Sequence, residues 1–406
     1  MNHNITGKEC LNKWDIKDYI RNLLMLAIKI PIWLVQYFLY FIPVQNEKII
    51  IYSLKQKGYS CNLKYLTDHI VKFHNEEYQL LWVVKDQEDC ERLKKHRIIA
   101  VKRWSWKHFV FRMRAGIILT NDEFYPMFIK RKKQIYINTW HGGINYKKIG
   151  YSGIYFTNYI QKLIFKLNNP EPDIFISGSR SFTKSTAEAF RFSEHIFLPS
   201  GLPRNDIFFH CQFELSQSIR ERLDIRPQTK LLLYSPTFRK GKTGPVSMLN
   251  YTELIKTLEL RFGGKWKILI RQHYFVECTN HKDFEAEEVI DVSNYEDMQE
   301  LILISDCMIS DYSSCMWDFS FTGRPCFVYA PDLYEYLVSD RSIGIALEKW
   351  PYPICCNENE LFLSILHFDN DSYQEKVKIH HQNMGSYEHG NACEQILNEL
   401  QKRKEV

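Results

Sequence analysis

From Lys48 onward, short apolar runs alternate with longer amphipathic segments. Ile49–Tyr52, Leu80–Val84, Ile98–Val101, Ile117–Thr120, Ile135–Asn138 and Asp173–Ser177 read as strands, and helical patterns fall between several of them, at Asn62–Phe73, Asp86–Lys95 and Ser179–Arg191. That alternation predicts a parallel sheet covered by helices. A second series follows at Ile196–Leu198, Leu231–Tyr234, Ile268–Ile270, Val289–Val292, Cys307–Ser310 and Cys326–Tyr329. Helices are predicted over Tyr251–Phe262 and Tyr295–Ser305, the latter opened by a capping box of Ser293 and Glu296. Two such series imply an α/β chain of two Rossmann-like lobes with a cleft between them, joined between Phe190 and Ile196. The tail from Tyr373 to Val406 reads as helical and charged, suited to pack back across both lobes. The expected plan is an apolar segment over 1–43, lobes over 44–192 and 193–370, and a returning tail over 371–406.

The stretch Leu23 to Pro43 breaks this rhythm. It nearly has the length to span a bilayer, but Lys29, Pro31 and Gln36 interrupt it and aromatic residues crowd its second half. No small-residue cleavage site follows, which argues against a signal peptide. We read it as an interfacial helix pair lying on a membrane, with a true span and a plain buried helix as the alternatives.

Composition narrows the class. At 406 residues the chain exceeds one ordinary core, and 45% hydrophobic with 25% charged residues excludes a disordered protein. The net charge of +5 conceals an asymmetry: residues 1–150 hold 26 Lys+Arg against 13 Asp+Glu, whereas the remainder hold 27 against 35. A basic first lobe suits anionic lipid headgroups or a polyanionic acceptor, and equally an ordinary solvated face. No nucleic-acid motif accompanies the charge, so no nucleic-acid partner is expected. Eleven scattered cysteines with no C-x-x-C point to reduced thiols in a cytosolic compartment and argue against zinc.

Four strand ends carry candidate chemistry. Thr139-Trp140-His141-Gly142-Gly143 follows a strand, where glycines let backbone amides approach a phosphate and an imidazole can take a proton from a hydroxyl. The same residues also suit a turn with a structural histidine. Tyr234-Ser235-Pro236-Thr237-Phe238-Arg239 offers hydroxyls and a guanidinium beyond another strand. Arg271-Gln272-His273 would place two potential cations on one side of a strand end, able to stabilise a transferred phosphoryl group, or would be a solvated edge. Ser310-Asp311-Tyr312-Ser313-Ser314 leads into a helix carrying Asp318, which reads as an anion site, an N-cap, or both, with Asp318 in reach of a ribose or polyol hydroxyl. No Asp-x-Asp stands at these ends, so no metal and no cofactor is expected.

Taken in order with Gly201-Leu202-Pro203-Arg204-Asn205-Asp206, these motifs resemble the CDP-glycerol glycerophosphotransferase family, which builds teichoic acids and related capsular polymers. The resemblance runs from about Lys48 to the C-terminus. It implies a GT-B-like fold with a CDP-polyol in the C-terminal lobe and a lipid-linked or polymeric glycan acceptor in the N-terminal lobe, at the cytoplasmic face of the membrane. It implies His141 as general base, and Arg271 and His273 on the pyrophosphate. Arg204, Pro236, Thr237, Ser313, Ser314 and Asp318 match donor-binding positions; Arg239, Gln272 and the loop Gly142, Gly143, Ile144 and Asn145 complete the expected substrate contacts. The chain departs from the family pattern at Gly143-Ile144, where Thr-Pro is usual, at Tyr274 and at Arg341-Ser342-Ile343. The first departure lies where it can reshape the polyol pocket. A nucleotide-sugar glycosyltransferase of the same architecture is the competing enzyme class, and a catalytically idle membrane-bound scaffold is the third reading.

Overall fold

The computed structural model describes residues 16–53, 59–85, 87–94, 98–122, 128–153, 159–237, 249–272, 287–339 and 343–405. Two all-parallel sheets carry it. The first contains β1 (Gln45–Tyr52), β2 (Gln79–Val84), β3 (Ile99–Lys102), β4 (Ala115–Thr120), β5 (Ile135–Asn138), β6 (Ile174–Ile176) and β7 (Phe197–Leu198), in the order β3-β2-β1-β4-β5-β6-β7. The second contains β8 (Lys230–Ser235), β9 (Trp266–Ile270), β10 (Val289–Asp291), β11 (Cys307–Ser310), β12 (Cys326–Tyr329) and β13 (Ile354–Cys355), in the order β10-β9-β8-β11-β12-β13. Helices on both faces leave no side of a central strand in water, which is why Ile49, Ile50 and Ile51 are all fully buried. Each order reverses once, at β1/β4 and at β8/β11. Those reversals open crevices at the carboxyl ends of the strands, where doubly wound sheets bind ligands.

Three expectations change. Phe197–Leu198, predicted to begin the second series, pairs parallel with β6 and completes the first sheet. The chain therefore leaves the first lobe after β7, through Ser200–Leu202 and the 3-10 helix Pro203–Phe208, and not between Phe190 and Ile196. The helix predicted over Tyr295–Ser305 spans Met298–Ile304, because Asp297 caps it by accepting from the N–H groups of Gln299 and Glu300. Ser293 instead accepts from the Gln272 N–H. The N-terminal stretch is a single helix, Ile16–Phe38, with Pro31 inside it, and not a pair.

That helix solves the problem its sequence posed. Lys29 is buried and donates to Asn168 Oδ1 at 2.9 Å; Gln36 is buried, accepting from Ile129 N and donating to Ile129 O. The polar interruptions face protein, while Leu24, Ile30, Leu34, Tyr37, Phe38 and Phe41 are each more than half exposed. Among the described residues, no helix is long and apolar enough to cross a membrane.

The C-terminal tail is two helices. Asn370–Met384 ends at Gly385, whose φ of +64° supplies the left-handed cap, and Ala392–Glu405 follows. Tyr373, Val377 and Met384 pack in the core of the second lobe, whereas Cys393, Ile396, Leu397 and Leu400 pack under the first sheet. Asp206, in the outgoing crossover, caps the last helix by accepting from Ala392 N and Cys393 N. The two chain crossings between the lobes are thus fastened to each other.

Candidate active site

The loop after β5 is held in an unusual shape. Trp140 has φ +49°, a region costly for a residue with a side chain. Asn138 Oδ1 accepts from Trp140 N–H at 2.8 Å, and Asn62 Nδ2 donates to the carbonyls of Thr139 and Trp140, both at 2.9 Å. The Trp140 ring stacks on the His141 imidazole, with centroids 4.6 Å apart. His141 Nδ1 lies 3.0 Å from Asn121 O. A carbonyl can only accept, so Nδ1 carries the proton and Nε2 is the basic nitrogen.

Gly142 brings this loop to the second lobe: a Cβ placed on it would lie 3.5 Å from Ser314 Oγ. At Gly143 there is no room for one, since it would sit 2.7 Å from Trp317 Nε1. The Thr-Pro expected by resemblance cannot be accommodated at this position as the loop is packed here. Ile144 is sealed in the core of the second lobe, and Asn145 donates to Ser185 Oγ and Thr186 Oγ1, both at 2.9 Å. Both were expected to touch substrate. The structure gives them the work of plugging the loop into its surroundings.

Arg204 is the junction. It reaches from the crossover with Nη1 2.8 Å from His141 O and Nη2 2.7 Å from Asp318 Oδ2. Asp318 also accepts from Asn205 Nδ2 at 3.2 Å and Gln299 Nε2 at 3.1 Å, and is 1% exposed. Its oxygens hold protein groups and are not open to a ribose or polyol hydroxyl as expected. Burial works to lower the Arg204 guanidinium, but Asp318 beside it raises it overall; burial also lifts the Asp318 carboxyl above its ordinary value against the pull of Arg204. With a guanidinium at 2.7 Å and two amide donors on its oxygens, Asp318 stands as the carboxylate of an ion pair.

The second sheet's crevice is built from the ends of β8, β9 and β11. Thr237 N–H donates to both Asp311 oxygens, at 3.1 and 3.0 Å, and its hydroxyl donates to Oδ2 at 3.1 Å, so the β8 and β11 ends are tied at the reversal point. Pro236 and Thr237 stay partly accessible there. Ser313 Oγ accepts from Cys315 N–H at 3.3 Å, and Ser314 begins the helix Cys315–Ser320 with no side-chain cap bond. Beyond β9, Arg271 donates through Nη2 to Glu296 O at 3.4 Å, while Nη1 is buried with no hydrogen-bond partner among the described residues. Burial pushes this guanidinium below its ordinary value, with Asp297 pulling the other way. An orphaned buried donor on a cation is a place for an anion. His273 and Arg239 lie outside the described residues. The described residues contain no group of His, Cys, Asp and Glu able to hold a metal.

Several organising residues escaped the sequence reading. On the helix Cys61–Phe73, Asn62 ties the His141 loop to the crossover by accepting from Arg204 N, and two neighbours meet the second lobe: Tyr65 OH donates to Asp297 Oδ1 at 3.0 Å and Lys64 pairs with Glu300. Asn205 lies inside a motif that was noticed, but only its neighbour Arg204 was given a role. Glu388, in the tail, accepts from Leu202 N at 2.9 Å and Asn205 Nδ2 at 3.1 Å, and burial pushes its carboxyl up to about 8. Nothing local marks it.

A two-lobed chain that sets a histidine loop from one parallel sheet against a hydroxyl-rich turn and an arginine from the other has the design of a nucleotide-dependent group transferase. The comparisons agree and are narrower. Residues 34–402 match the family described as CDP-glycerol:poly(glycerophosphate) glycerophosphotransferase, and the chain belongs to it. It is 30% identical over 367 residues to a teichoic acid glycerol-phosphate transferase of Staphylococcus aureus, covering 86% of this chain and 92% of that one. A teichoic acid ribitol-phosphate primase of Bacillus spizizenii is 26% identical, covering 87% and 91%. The chain also spans 50% of the length of a Staphylococcus epidermidis teichoic acid poly(glycerol phosphate) polymerase, at 30% identity. Among solved structures, the wall teichoic acid polymerase TagF soaked with CDPG superposes with a TM-score of 0.78 at 25% identity, covering 96% of this chain and 97% of that one.

Proposed function

We propose that this enzyme moves glycerol phosphate from CDP-glycerol to a hydroxyl of a teichoic-acid-type acceptor, releasing CMP. His141 Nε2 takes the proton of the acceptor hydroxyl, whose oxygen attacks the β-phosphorus. The new P–O bond forms as the bond to CMP breaks, and CMP leaves with the electron pair. Arg271, whose Nη1 has no partner among the described residues, faces the pyrophosphate and neutralises charge as it shifts toward CMP; the resemblance adds His273. Thr237, Ser313 and Ser314 supply polar contacts to the donor at the β8/β11 crevice. The observation that carries this reading is the placing of the His141 loop against Ser314 and Asp318 through Arg204, in a member of this family. Glycerol is put ahead of ribitol because the relatives named for glycerol phosphate include those at 30% identity, against 26% for the ribitol primase.

Purified protein given CDP-glycerol, CDP-ribitol or a nucleotide sugar, with a lipid-linked acceptor, is expected to release CMP with CDP-glycerol and to keep doing so after EDTA treatment. Release of a nucleoside diphosphate from a sugar donor would instead identify a glycosyltransferase. Loss of activity in EDTA, restored by Mg²⁺, would overturn the metal-free mechanism.

We also propose that the exposed apolar face of the helix Ile16–Phe38 rests in a membrane interface, making the enzyme peripheral. Charge supports it: Arg131 donates to Tyr40 O and Ile42 O, which sets the exposed Lys132 and Lys133 beside exposed Tyr40 and Phe41. Cations there meet anionic headgroups while the apolar side chains enter the acyl boundary. Each large apolar side chain withdrawn from water contributes about 1.5–3 kcal/mol. A Leu24→Ser/Leu34→Ser/Phe41→Ser variant should therefore lose at least about tenfold in flotation with phosphatidylglycerol vesicles. Undiminished flotation would place the contact elsewhere.

A further inference from the structure

Glu388 lies in neither sheet and belongs to no motif, yet it bonds to Leu202 and Asn205 of the crossover and packs against Gly178, which in turn packs against the His141 loop at Gly143. It sits in the strap between the two tail helices, where Ser386 bridges to Ser179 and Tyr387 N–H donates to Gly178 O at 2.9 Å. Its Oε2 accepts from Leu202 N, in the outgoing crossover, and its Oε1 accepts from Asn205 Nδ2. The same Asn205 amide nitrogen donates to Asp318 Oδ1, Asp318 pairs with Arg204, and Arg204 donates to His141 O. Four consecutive polar contacts thus run from the tail to the backbone of the proposed base.

A second route is steric. A Cβ at Gly178 would lie 2.8 Å from Glu388 Oε1 and 2.9 Å from Gly143 Cα, and one at Gly201 would lie 2.8 Å from Glu388 Oε2. Glu388, Gly178 and Gly143 are therefore stacked with no space between them. Ser179 Oγ closes the arrangement by donating to Gly143 O at 2.9 Å. The polar route ends on the His141 carbonyl and the packed route on Gly143, so the two grip the loop on either side of Gly142.

We propose that Glu388 is a positioning residue for the transfer, holding the His141 loop against the donor lobe through Asn205, Asp318 and Arg204. This rests on the reading of His141 as the base. Glu388 does not reach the reacting atoms: it is buried at the lobe junction, and its carboxyl oxygens accept from Leu202 and Asn205 of the crossover. Its work is orientation, and misplacing a catalytic group by about 1 Å costs about 100-fold in rate.

The test compares Glu388→Ala and Glu388→Gln with wild type in CMP release from CDP-glycerol, beside crystal structures of all three. Alanine removes both acceptors. We expect kcat to fall roughly 30-fold, within the range that misplacement of a group produces, with the KM for CDP-glycerol within about twofold. Glutamine keeps the shape and one acceptor and is expected to fall between alanine and wild type. The Arg204 Nη1 to His141 O contact should open in the alanine structure. An alanine variant with wild-type kcat, or one that raises KM and spares kcat, would sink the proposal. So would an alanine structure in which the 2.8 Å contact persists. If alanine does not fold, the glutamine variant carries both readouts. Should wild type itself release no CMP, the functional reading fails, and the structures still decide whether Glu388 positions the loop.

Discussion

Replacing His141 with alanine should lower turnover with CDP-glycerol by about 1,000-fold, the scale of a positioned general base, and leave donor binding within about twofold. The size of the effect follows from how completely the imidazole is prepared. Asn121 O fixes which nitrogen is protonated, the Trp140 ring limits rotation, and Asn62 and Asn138 hold the backbone in a conformation it would otherwise leave. Strain at Trp140 is retained because Asn138 holds its N–H and Asn62 its carbonyl. Donor binding should survive because the groups assigned to the pyrophosphate and cytidine stand on the other lobe, at Arg271, Thr237, Ser313 and Ser314. CMP release measures the first quantity and calorimetric titration of CDP-glycerol the second. Equal turnover in the variant would remove His141 as the base, and lost donor affinity would move it into the donor site.

The parts of this molecule that were legible in its sequence are those that physics makes local. A strand buried on both faces must be a short continuous apolar run, so Ile49–Tyr52, Ile135–Asn138 and Cys307–Ser310 could be marked from the sequence with ends within a few residues. Position just past a strand end is equally local, and His141, Arg271 and Ser313 can be placed at such ends from the sequence. What depends on partners far along the chain was not visible. Phe197–Leu198 is as apolar as any strand beginning a second lobe, and only its pairing with β6 assigns it to the first. Ser293 and Glu296 satisfy the spacing of a capping box, but Asp297 starts the helix four residues later by capping the N–H groups of Gln299 and Glu300, while Ser293 is engaged with Gln272. Ile144 and Asn145 follow the His141 motif so closely that they read as part of it, although the loop spends them on anchorage. Lys29 and Gln36 looked like obstacles to membrane contact because a sequence shows their polarity and not the direction they face. Glu388 is the extreme case, more than 180 residues from the crossover it organises.

The ion pair between Arg204 and Asp318 should prove more important to this enzyme's stability than any other polar contact at the lobe junction. Their side chains are 6% and 2% exposed, so removing one partner leaves the other as an uncompensated charge in the interior. Arg204→Leu is expected to cost about 3–5 kcal/mol for that reason, a fall in thermal midpoint on the order of 10 °C for lobes of this size. Asp318→Leu should cost a similar amount, because it strands the guanidinium. The double variant, Arg204→Leu with Asp318→Leu, should recover much of the loss, since a buried pair replaced by apolar groups of similar volume leaves no orphaned charge. Activity should not recover with it. The contact from Nη1 to His141 O disappears with the arginine whatever becomes of the carboxylate, and the His141 loop then loses its tie to the second lobe. Differential scanning calorimetry together with CMP release on the four proteins separates these effects. A double variant as unstable as the sum of the singles would mean that the pair is solvated and not sealed. A double variant restored in both stability and turnover would mean that the His141 loop keeps its place without Arg204.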